Sequence, residues 1–168
     1  MDKQRISLLM QTPVFGAIRQ DIIAQLVEQA PIINVKNGAY LFREGDRGTS
    51  MYIIESGRMA AIKKWGTDEY LLKQLVQGDC IGEMALFDFL PRSASIISTE
   101  NTALIEITAA DLLNIYHQDL EQFTLLQMNL GREVTRRLRA ADEQLFHERM
   151  QTTIDGEDVS FQPYLKIQ

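Results

Sequence analysis

Seven glycines between positions 38 and 82 cut this 168-residue chain into short apolar runs. Glycine reaches the positive φ angles of tight hairpin turns without steric cost, so the spacing points to many short strands joined by turns. The runs themselves are β-formers: Ile32–Lys36, Ala39–Phe42, Met51–Ile54, Met59–Lys63 and Tyr70–Leu75. Asn37-Gly38 is a strong two-residue turn signal. Two more runs, Ser95–Ser98 and Ala103–Ile107, follow Pro91, and a further strand ends at Ile81. About eight closely spaced strands predict an antiparallel, jelly-roll-like β-roll.

Both ends read differently. Residues 3–11 and 19–30 carry helical spacing, and Pro31 stops the second helix. Between Thr108 and Met150 there is no proline and a single glycine, Gly131. Thr108-Ala109-Ala110-Asp111 has the form of a capping box that opens a short helix. A long helix then starts near Gln118, with Leu120, Phe123, Leu126, Leu130, Val134, Leu138, Ala141 and Leu145 in steps of three or four. The expected fold class is α+β. A helical lead-in covers 1–30, the β-roll 31–107, C-terminal helices 108–150, and a loose tail 151–168 with one candidate strand at Val159–Phe161.

Charge and composition exclude several functions. The net charge of −6 opposes phosphate-backbone binding by the chain as a whole. One cysteine, Cys80, excludes an internal disulfide framework, fits a reducing cytoplasm and reads as a small packed hydrophobe. No apolar run approaches the roughly 18 residues of a membrane span. His117 and His147 are far apart and off the strands, so neither a metal-dependent β-roll enzyme nor a nucleophilic triad is expected. Trp65 is expected at a hairpin tip. The arginines at 132, 136, 137 and 139 interleave with Glu133, Asp142 and Glu143 and read as a solvated helix face.

The chemistry concentrates in Gly82-Glu83-Met84-Ala85-Leu86 and Pro91-Arg92-Ser93-Ala94. Gly82 allows a sharp turn and close approach of a ligand. Residues 83–87 can form one helical turn whose leading amides attract an anion. Arg92 offers a planar fork of donors matched to phosphate, and Ser93 a hydroxyl. Glu83 beside such an anion site suits the acceptance of sugar hydroxyl protons. Their alternative is a mutual structural ion pair.

This stretch resembles the phosphate-binding cassette of cyclic-nucleotide-binding domains of the catabolite-activator and kinase-regulatory type. Phe42–Asp46, Met51–Gly57 and Thr12–Phe15 resemble other parts of the same domain, and the resemblance covers about residues 12–148. It implies that Glu83 binds the ribose 2′-hydroxyl and Arg92 the cyclic phosphate. The Met84 and Ala85 amides and Ser93 complete the cradle, with Leu72, Ile81 and Ile96 as its apolar wall. It also implies a homodimer along the long helix, with Val134, Leu138, Ala141 and Leu145 in the seam. From 118 to 150 that helix would run roughly 50 Å, longer than a small domain is wide. Where members of the family carry a Thr-Ser pair for adenine, this chain has Ala141-Asp142. Asp142 could accept from adenine or guanine, so cAMP is the first expectation and cGMP the second. A winged DNA-binding module needs on the order of 60 further residues, and only 18 follow Met150. No direct DNA binding is expected, and output would pass through an unidentified downstream protein. A ligand-free scaffold, a truncated transcription regulator and a sensor of a non-cyclic anion are the alternatives.

Overall fold

The computed structural model describes residues 2–154, with side chains through Met150. The tail and its candidate strand at Val159–Phe161 lie outside the described residues. The chain divides into two compact units, one ending at Gly131 and one beginning at Arg132.

The first unit opens with α1 (Lys3–Gln11), a 3₁₀ turn (Pro13–Phe15) and α2 (Gln20–Gln29). Asp2 caps α1, its carboxylate accepting from the Arg5 amide. Ala30, ahead of Pro31, is already extended, as the proline ring requires. Eight strands follow: β1 (Ile32–Val35), β2 (Tyr40–Phe42), β3 (Ser50–Ser56), β4 (Met59–Trp65), β5 (Asp68–Leu75), β6 (Cys80–Ile81), β7 (Ser95–Ser98) and β8 (Thr102–Thr108). They form two four-stranded sheets, β1-β8-β3-β6 and β2-β7-β4-β5. Every pairing is antiparallel.

Strand β3 shows why the roll holds together. Met51 and Ile53 pack on the helices with Phe15, Ile22, Ile23, Ile105 and Ile107. Tyr52 and Ile54 point the other way, into the space between the sheets, with Val35, Met59, Leu75, Ile81, Ile96 and Leu104. Side chains alternate along a strand, so burial on both faces demands the continuous apolar run seen in the sequence. Cys80 belongs to the helix-side core, its Sγ 3.9 Å from the Met51 sulfur. Trp65 stands exposed at the tip of the β4–β5 hairpin, where it pairs with Asp68.

The expected capping box is present. The Thr108 hydroxyl accepts from the Asp111 amide at 3.2 Å, and the Asp111 carboxylate accepts from the Thr108 amide at 2.7 Å. It opens α4 (Ala109–Gln118), which therefore runs to the residue where the long helix was expected to begin. Asp119 breaks the two with an extended backbone, and its Oδ1 accepts from the Gln122 amide at 3.1 Å, capping α5 (Leu120–Ile154).

In the second unit, the remainder of α5 carries its own ion pairs. Glu133 accepts from Arg136 at 2.6 Å and Arg137 at 3.0 Å. Burial alone would push the Glu133 carboxyl up; the Arg136 and Arg137 bonds outweigh it and hold the group below its ordinary value. Leu138 and Leu145 stand 59% and 53% exposed on this stretch.

Candidate functional site

The cassette begins where β6 ends. Tyr52 and Ile53 of β3 pair with Ile81 and Cys80, which fixes the strand before the turn. Gly82 then takes φ +77°, and a Cβ there would lie 2.4 Å from Arg92 Nη1. Conformation and space thus both require glycine. The chain closes one short helix, α3 (Ala85–Asp88). Its first bonds run from the Leu86 amide to Glu83 O at 3.1 Å and from the Phe87 amide to Met84 O at 2.9 Å. The Met84 and Ala85 amides stand ahead of that turn, the position from which helix amides face outward. Phe89 ends the helix in the left-handed region at φ 55°. The Asp88 carboxylate accepts from the Leu90 amide at 3.0 Å, and Pro91 leads into Arg92.

Arg92 is the centre of the arrangement. Its amide donates to Asp46 O at 2.8 Å, and its carbonyl accepts from the Gly45 amide at 2.9 Å, so the β2–β3 loop and the end of the cassette are zipped together. The side chain, only 5% exposed, crosses to β3. Nη1 donates to Gly82 O at 2.7 Å and Nη2 to Ser50 O at 2.8 Å. The guanidinium lies 4.2 Å from the Phe42 ring centroid and 5.9 Å from that of Tyr52. A Cβ on Gly48 would lie 2.3 Å from Nη2, so two glycines make the slot that holds the fork.

Burial pushes the Arg92 pKa down, opposed by Tyr52, Glu83, Asp46 and Glu106 around it. Burial first, then Glu106, pushes the Tyr52 hydroxyl up. Tyr52 donates to Glu106 Oε1 at 3.1 Å. Glu83 is buried at 1% exposure. An anion fits this setting: Arg92 Nε is buried with no hydrogen-bond partner among the described residues, a donor held away from water.

Beside the guanidinium opens a cavity of about 490 Å³, lined by Leu41, Phe42, Asp46, Gly48, Ser50, Tyr52 and Arg92 among others. Of the residues expected from sequence, Arg92 alone lines it. Gly82 touches Arg92 through its carbonyl, and the Glu83 carboxylate acts on the guanidinium through its charge. Met84 is exposed and Ala85 buried, and the Ser93 hydroxyl is 3.9 Å from the Met84 sulfur. Ile81 and Ile96 sit in the inter-sheet core, against which Leu41, Phe42 and Tyr52 pack, so they back the lining instead of forming it. Leu72 is 53% exposed on β5. Ala61 pairs with Lys73 and Ile62 with Leu71, which leaves Leu72 as the unpaired residue of a bulge. Asp142 is exposed on the α5 stretch of the second unit. In the sequence Phe42 and Tyr52 belong to the early hairpins, and no motif there singles out Gly48 or Ser50. The available signal was Gly48 in a loop that already had Gly45 for its turn.

Residues 32–119 match the cyclic nucleotide-binding domain family. The chain is 34% identical over 109 residues to the cyclic AMP receptor protein of Thermus thermophilus, covering 64% of this chain and 49% of that one. It is 32% identical over 90 residues to a cAMP-dependent protein kinase regulatory subunit of Emericella nidulans, covering 54% of this chain and 21% of that one. The crystal structure of the Thermus thermophilus catabolite activator protein superposes with a TM-score of 0.71 at 28% identity, over 82% of this chain and 63% of that one. The chain thus spans about half the length of the first of these relatives and about a fifth of the second. It belongs to the cyclic nucleotide-binding domain family, and its β-roll with flanking helices is that fold.

Proposed function

We propose that this chain is a cyclic-nucleotide sensor, with cAMP as first ligand and cGMP as second, that acts on a partner protein through its C-terminal helices. The observation that carries this is the buried Arg92 fork beside buried Glu83, with Nε unpartnered and a cavity against it. In this reading Arg92 holds the ring phosphate with the Met84 and Ala85 amides and Ser93. Glu83 accepts from the ribose 2′-hydroxyl. Asp142 is the candidate acceptor for the base. The names of the relatives, a cyclic AMP receptor and a cAMP-dependent kinase subunit, favour cAMP. Ligand binding would favour one arrangement of the helices over another, a population shift without covalent chemistry. The exposed Leu138 and Leu145 on α5 support assembly with a second copy along that helix. The single, buried Cys80 supports a cytoplasmic setting, and among the described residues no helix is long and apolar enough to cross a membrane.

Isothermal titration with cAMP and cGMP tests the reading. Heat that saturates at one site per chain is expected. Silence towards both nucleotides at millimolar concentration overturns it. A second reading, a β-roll scaffold that binds no nucleotide, is favoured by one observation: Gly82 O and Ser50 O already take both terminal nitrogens of Arg92. A thermal-shift screen over nucleotides separates the two, because a ligand that binds only the folded state raises the melting temperature.

A further inference from the structure

The root of α5 makes a second polar constellation, separate from the cassette and wholly within the first unit. Gln122 and Asn129 are both buried, seven residues apart on one face of α5. Each spends its amide on main chain of the turn between the 3₁₀ segment and α2. Asn129 Nδ2 donates to Gly16 O at 2.8 Å, and Gln122 Oε1 accepts from the Arg19 amide at 2.8 Å. These are end groups that the lead-in does not satisfy itself, since Arg19 starts α2 with no side-chain cap of its own. Arg19 Nη1 also donates to Asp119 Oδ2 at 2.7 Å, and Asp119 caps α5. Between Gly16 and Arg19 lies Ala17 at φ 60°. Only one other described non-glycine residue has a positive φ, Phe89 at the end of the cassette helix. A left-handed alanine is strained and persists only where its surroundings impose it.

We propose that Gln122 and Asn129 form a polar latch that sets the position of α5 against the lead-in turn. Leu126 and Leu130 share that face and are buried in the same core. Apolar packing of this kind tolerates sliding, whereas two directional bonds to fixed carbonyl and amide groups do not. The latch is what makes the docked position of α5 discrete, and a discrete position is what a two-state helix needs. When it opens, the groups it releases are ones that water can satisfy, so opening is reversible. The link to nucleotide rests on the sensor reading above; the latch itself does not.

Hydrogen exchange on the full chain without nucleotide tests the latch. In Asn129→Leu and in Gln122→Leu, amides of residues 13–19 and 120–130 exchange together, faster by about tenfold, while β3 and β8 keep their protection. Gln122→Glu keeps the acceptor and exchanges like the parent. Unchanged exchange, faster exchange in α5 without the 13–19 segment, or an equal loss across the β-roll overturns the latch. Titration of Asn129→Leu with cAMP then reads the coupling: a dissociation constant shifted about threefold or more supports it, since a latch that biases a linked state must alter affinity. An unshifted constant overturns the coupling. Failure of the parent protein to bind any cyclic nucleotide removes the sensor reading and leaves the exchange result standing.

Discussion

Arg92 Nη2 donates to the carbonyl oxygen of Ser50 at 2.8 Å, a contact between residues 42 apart in sequence. Together with the bond to Gly82, it makes one side chain the tie between the start of β3, the cassette and, through its own backbone, the β2–β3 loop. Arg92→Ala removes all donors at once. Charge-assisted bonds are worth roughly 1.5–3 kcal/mol each, so loss of one or two to a phosphate weakens cAMP binding on the order of 100-fold. Arg92→Lys keeps the charge without the planar fork and cannot serve both carbonyls, so it recovers only part of the affinity. Calorimetric titration of both variants checks the order parent, lysine, alanine; equal affinities for all three would remove Arg92 from the site.

The glycine slot makes a separate prediction. A Cβ at Gly48 would lie 2.3 Å from Nη2, while a Cβ at Gly38 meets nothing within 4 Å. Gly48→Ala therefore pushes the guanidinium off Ser50 O, costs about 1–3 kcal/mol and lowers nucleotide affinity. Gly38→Ala carries only the strain of φ +79°, about 1 kcal/mol, and leaves affinity unchanged. Thermal melts paired with titrations distinguish the two positions. Similar affinity losses at both glycines would contradict the slot.

The contrast between those glycines also marks what the sequence could reveal. Strands announced themselves because glycine turns separate runs whose burial on one or both faces dictates their pattern, as in β3. The cassette was legible because its two halves lie within about a dozen residues and consist of distinctive side chains. Ser50 as a partner of Arg92 was not legible: a backbone carbonyl has no residue-type signature, and no local spacing predicts a contact 42 residues away. Leu72, expected on the apolar wall, stands exposed and off the cavity lining for a different reason. A bulge after Ala61 leaves it outside the ladder, and a single inserted residue changes which face the neighbouring side chains occupy. The division between α4 and α5 was legible to within two residues, because the Thr108 capping box announces a short helix of its own; the residue at which it falls was not, since Gln118 and Leu120 both suit a helix and only the Asp119 cap separates the two.

Tyr52 gives the site a pH signature. Burial, and then the charge of Glu106, raises its folded pKa above 10.0. The folded state therefore binds the phenolic proton more tightly than the unfolded state. The contribution is fully present below pH 10.0 and is lost as pH rises through the folded value. Melting temperatures between pH 8 and 11 should fall more steeply for the parent than for Tyr52→Phe, which has no proton to lose. Parallel curves would show that Tyr52 ionises as freely in the folded chain as in the unfolded one.

The apolar stripe on the second unit leads to the last expectation. Leu138 and Leu145 are more than half exposed, seven residues apart, with Ala141 between them. That is the spacing of a coiled-coil seam. A leucine fully buried against a second copy contributes roughly 1.5–3 kcal/mol, and two from each chain make the seam responsive to a single charge. Leu138→Asp places a carboxylate in the seam of both copies, where it repels its twin and lacks solvent. Analytical ultracentrifugation should report a dimer for the parent and a monomer for the variant. The circular dichroism of the β-roll should be unchanged, because Leu138 contributes nothing to either buried cluster. A parent that sediments as a monomer at tens of micromolar concentration removes the dimer, and a variant that remains dimeric places the interface elsewhere.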